Sequence, residues 1–488
     1  MAQDNRPWPL SSEQQRLWFL DRLAPTSAAY HVPVSWRLRA AVPLPEAVAT
    51  LSRLLARHDA LFMAFEEVDG EMVQRLLPGR VLPLEVHDLT GCPVQERDAR
   101  CAEVVRAVAR APFDLGAGPL VRAAVFAVDD QVRLVHLTFH HIAVDGLSLE
   151  IIERELAAGL GGAAVPPSAE AAYVEHCVRQ QRWLAGPQAQ RELDRRVEQL
   201  RGAPGLLELG RDRNRPRDFT YRGETLRFTV EPGVRDRVRA LAGCGGVTPY
   251  VVLLAAFNVF LHRQTGQTDV VVGSPVAGRG DSRFLDVVGL FAGTLVSRTD
   301  LSGEPTFEAV VERTQESVLS ALEHLDVPFD RLVNRLVPQR VPSHGPLVQV
   351  LFAFHENGPA AGVGESFLTR EFVPTDTAKL DLTFTVYDVG DRYEIEIEYC
   401  TDLFLRDSAE LFFRHWLRLL GSALDQPRLA IGHLAAMDEA ERSLVGSWSS
   451  AVVGSGVSGG LLVHELVGRW VGRSPGAVAV VCGDVVLT

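Results

Sequence analysis

Nowhere does this chain approach the ~18 consecutive apolar residues of a membrane-spanning helix, and its opening, MAQDNRPWPL, lacks the apolar segment of a signal peptide. Basic residues are in deficit, with Lys plus Arg at 49 against 62 Asp plus Glu and a net charge of -13. A general nucleic-acid binder draws on a basic excess to displace counterions from phosphates, so that class is disfavoured. The six cysteines (Cys92, Cys101, Cys177, Cys244, Cys400 and Cys482) are scattered and form no CxxC pair. In so long a chain they read as reduced thiols of a cytoplasmic protein. No HExxH segment and no second histidine pair is present, so no metal site is expected. No GxSxG elbow stands at an expected strand-to-helix turn, which leaves a serine-hydrolase reading weak.

What is present is ordinary for a large globular protein: 488 residues, 47% hydrophobic and 23% charged, with room for two or three domains. Ser11 and Ser12, followed by Glu13 and Gln14 before RLWFL, suit a capped helix start. Residues 45–65 carry apolar residues at helical spacing and pass into a strand that reaches the turn at 68–70. Residues 118–139 read as two strands joined at Asp129-Asp130, the second apolar on both faces and therefore central in its sheet. An amphipathic helix is expected over 147–160 and helical structure over 171–201. Residues 210–223 read as an Arg- and Asp-rich, Pro-containing loop whose arginines at 211–217 are solvated, with docking of an acidic partner as the alternative. The pattern then restarts with an apolar helix over 248–266, capped by Thr248 with Pro249 in its first position, and a buried strand leading into a glycine-rich loop over 269–280. This argues for two related halves, and the Gly, Ser and Val of 447–460 read as a linker.

The stretch FHHIAVDG (139–146) stands where the buried strand hands over to the helix. Neighbouring strand residues point to opposite faces, so His140 and His141 cannot both ligate one ion. One imidazole is expected to face a cavity while the other packs inward. Asp145 either orients the active histidine or is held by an arginine, and Gly146 lets a substrate approach the backbone. Without a nucleophile, a cavity histidine suits proton transfer or positioning between two bound substrates.

HHIAVDG resembles the HHxxxDG signature of condensation domains of nonribosomal peptide synthetases, within the superfamily that includes chloramphenicol acetyltransferase. SSEQQRLWFL (11–20), RHDALFMAF (57–65), YRG (221–223), VVGLFAGTLVSR (287–298), HLDVPFDRLV (324–333) and PSHGPLVQVLFAFHEN (342–357) resemble further family motifs in the same order. The resemblance runs from about residue 10 to 445. Residues 462–488 resemble the opening of an adenylation domain. The chain departs from the family at Phe62 and Met63, which Ala64 follows, and at Ala292 and Gly293.

The resemblance implies an α/β fold with two chloramphenicol-acetyltransferase-like lobes in a V-shaped pseudo-dimer. The expected divisions are an N-lobe over 1–178, a C-lobe over 179–445, and a linker with an adenylation-domain fragment over 446–488. It implies amide formation between a carrier-bound donor thioester and the amine of a carrier-bound aminoacyl acceptor. His141 is the expected catalytic residue; His140, Asp145, Gly146 and Arg279 are supporting, with Arg279 paired to Asp145; Ser343 is a candidate substrate contact. No intrinsic cofactor is implied, since phosphopantetheine arms arrive on donor and acceptor peptidyl carrier proteins. The implied partners are those carriers and a downstream adenylation domain in the same chain, with no nucleic acid, no membrane, and a monomer when excised. If Met1 is the natural start, the donor comes from a separate protein; otherwise an upstream module has been removed. AAYHVPVSWRL (28–38) looks most like domains that join an L-donor to an L-acceptor, acyl-starter domains being the near alternative. A heterocyclisation domain would replace the histidines with an aspartate motif, and plant-type acyltransferases carry an absent DFGWG. An epimerisation domain and a catalytically degenerate docking domain are the alternatives kept.

Overall fold

A computed structural model describes residues 7–169, 171–356, 367–449, 462–482 and 485–488. Residues 1–436 form one compact unit and residues 437–488 a second.

In the first unit a five-stranded sheet is built around Gln131–His140, which pairs antiparallel with both His31–Pro43 and Val121–Val128. Its central place explains why its residues are apolar on both faces. The turn before it carries Asp129 and Asp130 at φ 51° and 57°, the double left-handed conformation whose twist suits a two-residue hairpin. Leu84–Asp88 completes one edge, in parallel with Val121–Val128. The other edge comes from far along the chain: Leu368–Glu371 pairs with His31–Pro43. A division at 178/179 leaves this crossing out of view. A small three-stranded sheet joins Trp8–Pro9, Glu71–Leu76 and Met63–Val68.

The second sheet has six strands, Gly293–Asp300, Asp269–Val276, Val350–His355, Leu382–Asp388, Tyr393–Cys400 and Gly223–Thr229 in spatial order. Its strict alternation sorts side chains by face. Leu382, Phe384 and Val386 are fully buried, while Thr383, Thr385 and Tyr387 face a cavity. The buried face packs on Pro249–Thr265, whose residues 251 to 261 are all buried. A helix apolar all round belongs in the interior, and this one also has the Thr248 cap, its side chain accepting from the Val251 N–H.

Three sequence expectations need correction. The helix expected over 45–65 ends early, as Leu44–Leu55, and a 3-10 turn Asp59–Phe62 follows before the strand. Tertiary packing buries Leu61, Phe62 and Met63 without continuing the helix. The helical stretch 171–201 is two helices, Tyr173–Leu184 and Pro187–Leu200, broken where Pro187 removes a backbone donor and restricts Gly186. Thirdly, the 210–223 segment is not simply solvated. Arg215 forms a two-pronged ion pair with Asp381, their side chains 9% and 2% exposed, and Arg213 donates to the Thr401 carbonyl at 2.6 Å.

In the second unit, residues 447–449 of the expected linker belong to the helix Glu439–Ser449, and 450–460 lie outside the described residues. Val463–Arg473 is a helix that leaves Val467, Trp470 and Val471 exposed; Val480–Cys482 and Val485–Leu487 pair as a hairpin. Among the described residues no single helix is long and apolar enough to cross a membrane.

The buried ion pair gives a test. Arg215→Ala leaves Asp381 charged and without its cation, so urea unfolding should report a loss of about 3–5 kcal/mol. A loss below about 0.5 kcal/mol is what a solvated arginine would give.

Candidate active site

The strand Gln131–His140 ends on the first histidine, and His141 opens a one-turn 3-10 helix, His141–Ala143. The two imidazoles part at this junction. His140 is 2% exposed and lies edge-on to His31 and Phe113, ring centres 6.1 and 5.8 Å away. Its Nδ1 accepts from the Ile142 N–H at 3.1 Å, so the ring proton sits on Nε2. His141 takes the opposite tautomer. Its Nδ1 lies 2.8 Å from the Val144 carbonyl, which can only accept, so Nδ1 carries the proton and Nε2 keeps its lone pair. The backbone thus sets both tautomers.

His141 lines a cavity of about 470 Å³ between the two sheets. His31, Val32 and Pro33 come from the first sheet, and Thr225, Thr383, Glu396 and Glu398 from the second. Burial, and then the charge of Lys379, lower the His141 pKa to about 4. Burial and the neighbouring His31 and His141 lower that of His140 to about 3. Both rings are therefore neutral near pH 7. The unfolded chain takes up these protons first, so the stability held above pH 6.5 is lost as pH falls toward 4 and 3.

Asp145 does not touch the histidine. It N-caps the helix Gly146–Leu160 by accepting from the Ser148 N–H at 2.9 Å. Arg279 meets it with Nη1 2.7 Å from Oδ2 and Nη2 2.9 Å from Oδ1, both side chains 1% exposed. Oδ2 also accepts from the N–H groups of Phe291 and Ala292 at 3.0 and 3.2 Å. The Ser148 hydroxyl lies 2.7 Å from Oδ1 and accepts from Gly289 N–H at 3.0 Å. Arg279 spends its other donors on the carbonyls of Phe284 and Val287 and stacks over the Phe291 ring, 4.2 Å from its centre. Gly289 is required by this knot, because a Cβ there would fall 2.1 Å from the Tyr173 ring.

The other candidates separate. Gly146 begins its helix exposed, and a Cβ there would meet no atom within 4 Å, so protein packing does not demand glycine. Ser343 stands apart from the His141 cavity; its hydroxyl is 3.0 Å from His344 Nδ1 and its carbonyl accepts from Arg215. Gln14 ties the opening motif to the signature, its Nε2 3.5 Å from the Ile142 carbonyl. The departures at Phe62 and Met63 are core residues of the first half, and Ala292 contributes only its backbone to Asp145. Gly293 begins a strand of the second sheet and does not line the cavity.

Sequence reasoning missed Lys379, Glu398 and Tyr30 as neighbours of the site. Glu398 and Tyr30 carry no sequence signal, but Lys379 does: it is the chain's only lysine.

Two substitutions probe this geometry. Asp145→Ala strands the buried Arg279 cation and should cost about 3–5 kcal/mol in a denaturant titration, against a purely chemical defect at unchanged Tm for a catalytic aspartate. Gly146→Ala should melt with the wild-type Tm; a large drop would show that glycine is needed by the fold.

Residues 5–445 match the model of the condensation-domain family. The chain is 36% identical over 493 residues to a linear gramicidin synthase of Brevibacillus parabrevis, covering 99% of this chain and 10% of that protein. It is 35% identical over 487 residues to phosphinothricin tripeptide synthetase PhsB of Streptomyces viridochromogenes, covering 98% and 41%. It therefore spans less than half the length of either relative. Among solved structures, the X-domain from teicoplanin biosynthesis, in complex with OxyB, superposes with a TM-score of 0.77 at 26% identity, covering 90% of this chain and 98% of that one. The two sheet-centred halves are those of a chloramphenicol-acetyltransferase-like pseudo-dimer, with the HHxxxDG signature at their shared cavity. The chain belongs to the condensation-domain family of nonribosomal peptide synthetases.

Proposed function

We propose that this condensation domain is an active amide-forming acyltransferase, joining a carrier-bound donor acyl or peptidyl thioester to the amine of a carrier-bound aminoacyl acceptor. The observation that carries the reading is the state of His141: neutral, with Nδ1–H committed to Val144 and a free Nε2 lone pair in the cavity. An α-amine titrates near ~8, so a useful neutral fraction exists at pH 7 without a strong base. The demanding species is the tetrahedral intermediate, cationic at nitrogen and anionic at oxygen. His141 aligns the amine, accepts the proton that nitrogen sheds, and passes it to the departing thiolate. A ring of low proton affinity suits such a relay, because it does not retain the proton. His140 holds the strand end, Asp145 and Arg279 hold the helix start against the second half, and Gly146 leaves clearance for the arm.

Phosphopantetheine arms of donor and acceptor carrier proteins supply both substrates. The cavity wall of Thr225, Thr383, Thr385, Glu396 and Glu398 offers hydrogen-bond partners to amide-bearing groups. Residues 462–488 are the opening of an adenylation domain in this reading, which accounts for a helix and hairpin whose apolar side chains stay exposed. The likeness to the X-domain, which was solved in a complex with OxyB, supports a second reading, a catalytically degenerate domain that docks a partner. Against it, none of the motif departures at Phe62, Met63, Ala292 and Gly293 lines the cavity.

Loaded donor and acceptor carriers in a single-turnover assay decide between these. His141→Ala should fold and lose amide formation by ~10²–10⁴-fold, the range for a positioned proton-transfer group. A fully active variant would sink the assignment, and a wild-type domain that makes no amide favours recruitment. His140→Ala should instead lower Tm, activity falling in consequence; a stable but inactive His140→Ala would mean the wrong imidazole was chosen.

The pH profile follows from the same pKa. Since His141 stays neutral down to pH about 4, the rate should rise with pH as the acceptor amine deprotonates near ~8. No histidine inflection is expected near 6.5. Rates of single-turnover amide formation between pH 5 and 9 check this.

A further inference from the structure

Among the 49 basic residues of the chain only one is lysine, and Lys379 lines the cavity with His141. Its backbone is fixed to the second sheet, the N–H donating to Glu398 Oε1 at 3.0 Å. The adjacent Ala378 N–H donates to the Tyr221 carbonyl at 3.0 Å. The side chain crosses toward the first sheet, with Nζ 5.8 Å from the centre of the Tyr30 ring. Tyr30 in turn accepts the His141 N–H on its carbonyl at 2.8 Å. Lys379 therefore spans the cavity, from the strand of Glu398 to the residue that anchors the signature histidine.

The ammonium itself makes no hydrogen bond and no ion pair within 4 Å among the described residues. This half-buried ammonium, with no protein acceptor, is placed to donate to an oxygen that a ligand brings into the cavity. Lysine is also the compact cation, a point charge with three rotatable donors, where arginine presents a broad planar fork. Every other basic position in the chain is met with arginine.

We propose that Lys379 stabilises charge in the condensation step, its ammonium donating to the oxygen that becomes anionic when the acceptor amine adds to the donor thioester. This rests on the amide-forming reading above. Nitrogen bonds to the thioester carbon, and the carbonyl π pair moves onto oxygen, where Nζ–H meets it. Collapse restores the carbonyl and breaks the C–S bond; the thiolate leaves on the donor arm with the proton relayed from nitrogen through His141. Lys379 keeps its own protons throughout. The charged and titratable groups that interact with it include Glu398 on its own sheet, Arg16 of the segment 11–20, and Tyr30, His140 and His141 of the first half. Burial lowers its proton affinity and Glu398 raises it, while its charge is the leading electrostatic influence on His141.

The single lysine makes the test unusually direct. The 488-residue chain grown on lysine carrying carbon-13 at Cε gives one side-chain resonance. Pantetheine bearing a methylphosphonate in place of the acyl thioester mimics the anionic tetrahedral centre. The resonance should shift saturably with this probe and stay fixed with unmodified pantetheine. In the carrier assay, Lys379→Met should lower kcat by ~10²-fold while KM for the loaded carriers stays within about threefold, the split expected when only transition-state charge is lost. Lys379→Arg keeps the charge and should recover at least about a tenth of the wild-type kcat. A resonance unmoved at saturating phosphonate, or a Lys379→Met variant with wild-type kcat, overturns the proposal. Should Lys379→Met not fold, the titration of the wild-type resonance decides alone. Should the wild type make no amide, the reading of the reaction fails, and the same titration still judges Lys379.

Discussion

The carboxylate of Asp145 is the point on which the site depends. Taking a carboxylate and a guanidinium out of water is expensive, and the cost is offset only where every remaining donor and acceptor is matched. Here the matching is complete enough to define a geometry. Asp145 accepts from Ser148, from Arg279 twice, and from the backbone of Phe291 and Ala292. Three separate pieces of chain are thereby held together: the helix after the signature, the loop of Arg279, and the segment entering the strand Gly293–Asp300. The aspartate works by holding the halves in register, and His141 lies four residues upstream of that anchor.

Around the anchor, the cavity arises from the plainest property of a β-strand. Alternate residues of Leu382–Asp388 and Tyr393–Cys400 feed the core under the buried helix Pro249–Thr265, and the intervening threonines and glutamates form a polar wall. In a lone sheet that face would be solvated. Here the first sheet and the crossing strand Leu368–Glu371 close over it, so polar groups surround a confined space. Confinement is what lowers the proton affinity of His141 and makes Lys379 count, since charges act more strongly where water is excluded.

The two histidines show how little sequence distance is needed to separate roles. His140 ends a strand and His141 begins a 3-10 turn; one backbone N–H and one backbone carbonyl then impose opposite tautomers on identical side chains. Of the two, only His141 lines the cavity.

Much of this was legible in the order of residues. The doubly apolar strand 131–140, the Thr248-capped apolar helix, the Asp129-Asp130 turn and the Ser11–Gln14 cap follow from periodicity and local chemistry, which act over a few residues. The break at Pro187 is equally local, though the helical periodicity on either side hid it. The ordered motifs determined the family, and within it HHIAVDG pointed to the candidate site. What sequence could not supply are meetings between distant segments: Leu368–Glu371 joining the strand of His31, Arg215 closing on Asp381, and Lys379 reaching the Tyr30 ring. The lone lysine was visible as a count, but its meaning was not, because a charge acquires function from what surrounds it. Local propensity and pattern therefore determined the elements and their family, while burial, and the company each charge keeps in the closed cavity, were decided only by the tertiary structure.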